Sequence, residues 1–198
     1  MNVITIAVSL LLLLAPALAE AQENSPASGG KATPTSSLPK GPAFRSRGER
    51  YQVLGAVRAV SRKPNESDAG ALARVSAAQG DRLDEKGGYV IYRDAAASPI
   101  AMNEAGDGAT QAVAVNAGTG ALAVLTGNLN VRLAPGADPA AVARDHNLVL
   151  VAAAPRILAA FFRPASVQDL VQVAARLSSD ARVTSAEVDV VEHVAEPQ

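Results

Sequence analysis

The feature that most limits what this chain can fold into is the order of local signals between Leu129 and Asp189. Val131 and Leu133 alternate with Asn130 and Arg132, the period of two expected of a half-buried strand. Pro135-Gly136 ends that strand. Asp138 suits an N-cap, and Pro139 behind it suits the first helical position, where a missing N–H costs nothing. A short helix from Pro139 to His146 follows, with Asn147 as its left-handed C-cap. Leu148-Val149-Leu150-Val151 is an apolar run that predicts a second strand. Ala154-Pro155 turns the chain, Ile157 to Phe162 predicts a third strand, and Pro164 stops it.

Ser166 is expected to open a second helix, with Asp169 three residues on as an approximate capping box. Val167, Leu170, Val171, Ala174 and Leu177 fall at helical spacing and form one apolar stripe. Val183 to Asp189 predicts a fourth strand. Glu187 and Asp189 are two apart on it and so share a face. Two carboxylates on one face suit an acid–base pair; solvated surface charge is the plainer alternative. The order strand, helix, strand, strand, helix, strand predicts an α+β fold class, a ferredoxin-like split βαβ sandwich.

The same stretch resembles the propeptide of subtilisin-like serine proteases. The likeness rests on Val131-x-Leu133-x-Pro135-Gly136, the alanine-rich first helix, Ser166-Val167-x-x-Leu170, and Asp180-x-x-Val183-x-x-Ala186-Glu187-x-Asp189. Such propeptides chaperone and inhibit their protease. The resemblance implies that Glu187 and Asp189 cap protease surface helices, whose N-termini present unpaired N–H groups. It also implies that the tail enters the active-site cleft. There Ala195 is the candidate specificity residue, preceded by His193 and Val194, with Gln198 at the free carboxylate as the alternative. The chain ends at Gln198 with no protease domain following, so the expected action is in trans.

Upstream, Met1 to Ala21 reads as a signal peptide. It has an apolar run through Leu14, Pro16, and small-x-small cleavage sites at Ala17-Leu18-Ala19 and Ala19-Glu20-Ala21. The run is too short for a comfortable membrane span, so a periplasmic or secreted product is expected, with no membrane insertion after signal removal. Residues 22–48 have the composition of a flexible linker; Arg45, Arg47 and Arg50 form a small basic cluster around its end. Residues 49–126 read as a small β-rich extension. Within it are strands at Tyr51–Val60 and Tyr89–Tyr92, a short helix at Ala69–Gln79, and a hairpin around Ala117-Gly118-Thr119-Gly120. Its run into Val131 resembles the lead-in of stand-alone external chaperones of bacterial subtilases. Residues 127–198 complete the propeptide-like domain.

Composition narrows the function classes. Net charge is −1, which gives no polybasic surface for nucleic acid or membrane. Cysteine is absent, which removes disulfides, thiol catalysis and thiolate metal sites. The only histidines, His146 and His193, lie at a helix end and in the tail, where nothing orients them as catalytic bases; His146 is expected to meet the helix C-terminal carbonyls. Neither an enzyme nor a cofactor is expected. The expectation is an exported protein that binds a subtilisin-like serine protease as folding chaperone or inhibitor. The alternative is an exported structural or ligand-binding α/β module with no protease partner.

Overall fold

The computed structural model describes residues 37–75, 81–94, 97, 109–166 and 168–192. Along the chain these form β1 (Lys40–Ser46), β2 (Glu49–Ser61), α1 (Asp68–Arg74), β3 (Arg82–Lys86), β4 (Tyr89–Arg93), β5 (Thr110–Asn116) and β6 (Leu122–Leu133). Then come α2 (Pro139–Asp145), β7 (Leu148–Ala154), a 3₁₀ turn (Pro155–Ile157), β8 (Ala159–Pro164), α3 (Leu170–Ser178) and β9 (Val183–Val191). All nine strands belong to one antiparallel sheet, ordered β3-β4-β2-β5-β6-β8-β7, with β1 added to β2 and β9 added to β6.

The expected fold class is therefore corrected. The elements over 129–189 occur in the anticipated order, but the fold is not a ferredoxin-like α+β sandwich preceded by a small β-rich extension. Among the described residues, one large antiparallel sheet contains every strand. The physical reason is β6. It runs unbroken across the expected boundary at residue 126, pairing with β5 through Leu122–Val124 and with β8 through Leu129–Arg132. Gly127, at φ 82°, lies in the register shift between Leu125 and Leu129. A left-handed glycine bends a strand that would otherwise have to stop. Strand β9 pairs with both halves of β6 and holds them together.

The N-terminal strands show the same device. Glu49–Leu54 of β2 pair with β1, and Val57–Ser61 pair with β4. The switch falls at the shift between Leu54 and Arg58, where Ala56 is left-handed at φ 58°. The first strand, β1, lies inside the stretch whose composition predicts a linker. Arg47 and Gly48, at φ 52° and 85°, make the tight β1–β2 turn, since two left-handed residues match the twist of a hairpin. Strand β3 carries no apolar alternation and was not anticipated; β4 pairs with it from Arg82 to Lys86, across a register shift between Arg82 and Asp84.

The alternation of β6 explains the core. Ala123, Leu125, Leu129, Val131 and Leu133 join Tyr51, Val53, Phe162 and the apolar stripe of α3 on one face. Leu122 and Val124 point to the opposite face, where Leu54, Val57, Ile91 and Val113 form a second cluster. Val60, Val90 and Tyr92 pack under Leu72 of α1 as a third. The sheet is thus buried on both faces through β2, β5 and the start of β6, but on only one face at β8 and β7.

Helix α2 starts as its sequence predicts. Asp138 accepts from the Ala140 N–H at 2.9 Å, and Asn147 is left-handed at φ 54°. The second long helix starts later than anticipated. Asp169, not Ser166, is its N-cap and accepts from the Val171 N–H at 2.9 Å; Val167 lies outside the described residues. The anticipated stripe also lacked Val173, which is buried beside Leu170, Ala174 and Leu177. Strand β8 opens two residues later than expected, because Pro155–Ile157 coil into a 3₁₀ turn closed by Leu158 at φ 52°.

Candidate interaction surfaces

Glu187 and Asp189 lie side by side on one face of β9, as their spacing requires. Their partners are within the chain. The Arg47 backbone N–H donates to Glu187 Oε2 at 2.9 Å, and its Nη2 reaches Asp189 Oδ1 at 3.3 Å. Thr126 Oγ1 donates to Asp189 Oδ2 at 2.8 Å. The β1–β2 turn therefore occupies the carboxylates that the resemblance assigned to protease helices. His193, Val194, Ala195 and Gln198 lie outside the described residues, as does the signal segment 1–21.

The tail departs from a polar anchor that sequence reading missed. Glu192 is buried, and its Oε2 accepts from the Tyr51 hydroxyl at 2.7 Å and from Asn116 Nδ2 at 3.1 Å. Thr119 Oγ1 donates to Oε1 at 3.3 Å. Burial, and then the bond to Glu192, push the Tyr51 phenol up to about 12. Asn116 also accepts from the N–H groups of Gly118 and Thr119, which shapes the Gly-bearing turn. This cluster pins the end of β9 to β2 and to the β5–β6 turn. Nothing in the linear order joins Tyr51 to Glu192, so the sequence carries no local signal for it.

The two helix ends near Asp180 are strapped together. His146 Nε2 lies 2.8 Å from Asp180 Oδ2, so its ring meets a carboxylate and not the anticipated helix carbonyls. Arg182 donates to Asp180 through Nε and Nη2, at 3.0 and 2.7 Å, and to Asp145 Oδ2 at 2.8 Å. The Arg182 guanidinium, then His146, hold the Asp180 carboxyl well below the usual carboxylate range.

The exposed large apolar residues gather in one hairpin. They are Val149 and Val151 of β7, Ile157 and Leu158 of the turn, and Phe161 of β8. Ile157 is 64% exposed, well beyond what core packing explains. Phe161 sits opposite Ala152 on one side and Asn130 on the other, and Asn130 is opposite Glu187. Directly opposed residues share a face, so Phe161 of the hairpin and Glu187 of β9 belong to one sheet face. Strand β7 is also the end of the sheet, with its outer row of N–H and C=O groups unladdered. The signal was present: Leu148-Val149-Leu150-Val151 is apolar at successive positions, which leaves one face apolar wherever the other is buried.

The family model described as the open reading frame 2 N-terminal domain matches residues 39–197. The chain belongs to this family. The match spans β1 to beyond β9 and treats as one domain what the single sheet also joins. It overturns the resemblance to subtilase propeptides, whose short motifs describe a strand–helix order that an unrelated sheet also contains. No curated protein and no solved structure matches the chain. Among the described residues, no helix is long and apolar enough to cross a membrane.

Proposed function

We propose that this member of the open reading frame 2 N-terminal domain family is a non-enzymatic protein-binding module that works outside the cytoplasm, in the periplasm or beyond. The observation that carries the reading is the β7–β8 hairpin. A chain rarely leaves five large apolar side chains together in one hairpin, two of them on an uncharged edge strand, unless a partner covers them. The partner adds to the β7 edge by main-chain bonds and packs on Phe161 and Val149, the strand-addition mode of recognition. The apolar leader and its cleavage sites support export. A subtilisin-like protease is one candidate partner of this class, now without the support of family resemblance, and titration of the chain against subtilases tests it directly.

The general reading is tested with a photo-crosslinking residue at position 151 of the full chain in its native host. The expected result is one dominant protein adduct, lost when Phe161→Glu is added. A crosslinker at Arg176, on the solvent side of α3, serves as control. Identical adducts from positions 151 and 176, or none from 151, would remove the hairpin as the docking surface.

A further inference from the structure

A second surface lies at the other margin of the C-terminal strands. Among the described residues, strand β9 is laddered to β6 alone. Its outer edge borders an open groove of about 410 Å³, lined by residues 184–188 of β9, by α3, and by Ala43, Phe44 and Arg45 of β1. The wall that α3 presents is made of Val171, Ala174, Ala175 and Ser178. Three of these are small, so a backbone can approach closely. A strand edge flanked by a helix with small side chains has the shape that accepts an extended peptide as an added strand, about 4.8 Å from β9.

Charge decides what kind of peptide. Arg45 and Arg50 are directly opposed across the β1–β2 hairpin. Like charges in that position destabilise a hairpin. Neither arginine makes an ion pair among the described residues, whereas Arg47 between them is matched to Asp189. Both line a smaller hollow of about 260 Å³, which shares Ala43, Phe44 and Arg45 with the groove. The acidic residue on the groove, Glu187, already accepts the Arg47 N–H through Oε2. Two opposed, unmatched guanidinium groups beside an open strand edge call for an anion that arrives with the strand.

We propose that the β9–α3–β1 groove binds an extended acidic peptide of another protein, which adds as a strand to β9 and places its carboxylates against Arg45 and Arg50. This goes beyond the β7–β8 reading, because it uses the opposite margin and a different chemistry. The test applies the full chain to an array of octapeptides in which Ala, Val, Ser or Thr alternates with Glu, and to a matched array with Lys in place of Glu. The expected result is binding to members of the acidic array only. It weakens at least tenfold with Arg45→Gln/Arg50→Gln, is lost when alternate peptide amides are N-methylated, and is unchanged by Val151→Glu. The surface arginine variant is not expected to disturb the fold, and its circular dichroism checks this. No binding above the lysine array, binding that survives the arginine changes, or binding indifferent to N-methylation would each overturn the proposal. Loss of the crosslink at position 151, with the acidic peptides still bound, would defeat the hairpin reading alone.

Discussion

The two ends of the sheet are built from opposite materials. At one end, β3 is Arg82-Leu83-Asp84-Glu85-Lys86; at the other, β7 is Leu148-Val149-Leu150-Val151-Ala152-Ala153-Ala154. The β3 end is closed by charge. Arg62 and Arg82 both bridge Asp68 and Glu85, at 2.5 to 3.1 Å. Nearby, Arg74 binds Glu66, holding that carboxyl near a pKa of about 2. Exposed ion pairs add little stability, but charged side chains on an edge prevent another strand from joining it. The β7 end carries no such guard. Its hairpin bears exposed apolar side chains, where the β3 end has only Leu83 and Tyr89 turned inward to the second cluster. One chain thus protects one edge and leaves the other open, which is the contrast expected if β7 is a docking strand and β3 is not.

The largest effect should come from asking whether the open end is an independent part. Phe162 is fully buried on β8, and Phe162→Ala should cost about 3–5 kcal/mol in denaturant unfolding. All three tyrosines, Tyr51, Tyr89 and Tyr92, lie in the N-terminal strands. Tyr89 and Tyr92 lie on β4 at the guarded end, so in a Tyr51→Phe background tyrosine fluorescence reports that half, while far-ultraviolet circular dichroism reports the whole sheet. Because β6 serves both halves, the two curves should shift together in the variant. A fluorescence transition that stays in place while the dichroism curve moves would show that the open end unfolds by itself.

What was legible in the sequence follows the range of the physical signal. Asp138-Pro139 and Asn147 set α2 within one turn of chain: the structure keeps the Asp138 N-cap, makes His146 the C-cap, and puts Asn147 in the left-handed conformation just after it. Alternation in Val113, Val115, Leu122 and Val124 marked the β5–β6 hairpin for the same reason. Alternation does not record which strand lies on either side, so one sheet and two packed units read alike from residue 49 onward. The sequence reads as one run by way of Gly127 into Val131, and the structure adds how: Gly127, at φ 82°, lies in a register shift that bends β6 without ending it. The spacing of the β9 carboxylates puts them on a shared face, yet their partner Arg47 is about 140 residues away in sequence, beyond any local pattern. The apolar run Leu148–Val151 predicts a strand, but not which of its faces is bare, since sequence hydrophobicity does not distinguish a covered face from an uncovered one.

A smaller effect should appear where β9 is fastened to the guarded half. Tyr51→Phe removes the donor to Glu192 while Asn116 and Thr119 still hold the carboxylate, and should cost about 1.5–3 kcal/mol at neutral pH. The pH dependence has a definite sign. Tyr51 titrates higher folded than unfolded, so its contribution is complete below pH 10 and is lost as pH rises through about 12. Wild-type stability should fall across that window more steeply than that of the variant. Parallel falls in the two proteins would separate the Tyr51–Glu192 bond from alkaline unfolding.

The smallest effect on stability, and the sharpest on behaviour, should come from exchanging the character of the two edges. Val151 is about half exposed, so Val151→Lys should change stability by less than about 0.5 kcal/mol. At the other edge, Asp84→Val with Lys86→Val removes a half-buried pair at 3.4 Å and leaves the ring of Arg62, Asp68, Arg82 and Glu85 intact. The change in stability there should be as small. Light scattering across a concentration series should separate the two. Guarding β7 should lower any self-association, because a lysine on an edge strand opposes pairing with a second copy. Unguarding β3 should raise it, because the strand then offers a free ladder with apolar side chains. If guarding β7 changes neither association nor the position-151 crosslink, the bare edge has no partner. If unguarding β3 leaves the chain monomeric, twist and the cover of α1, more than charge, protect that end.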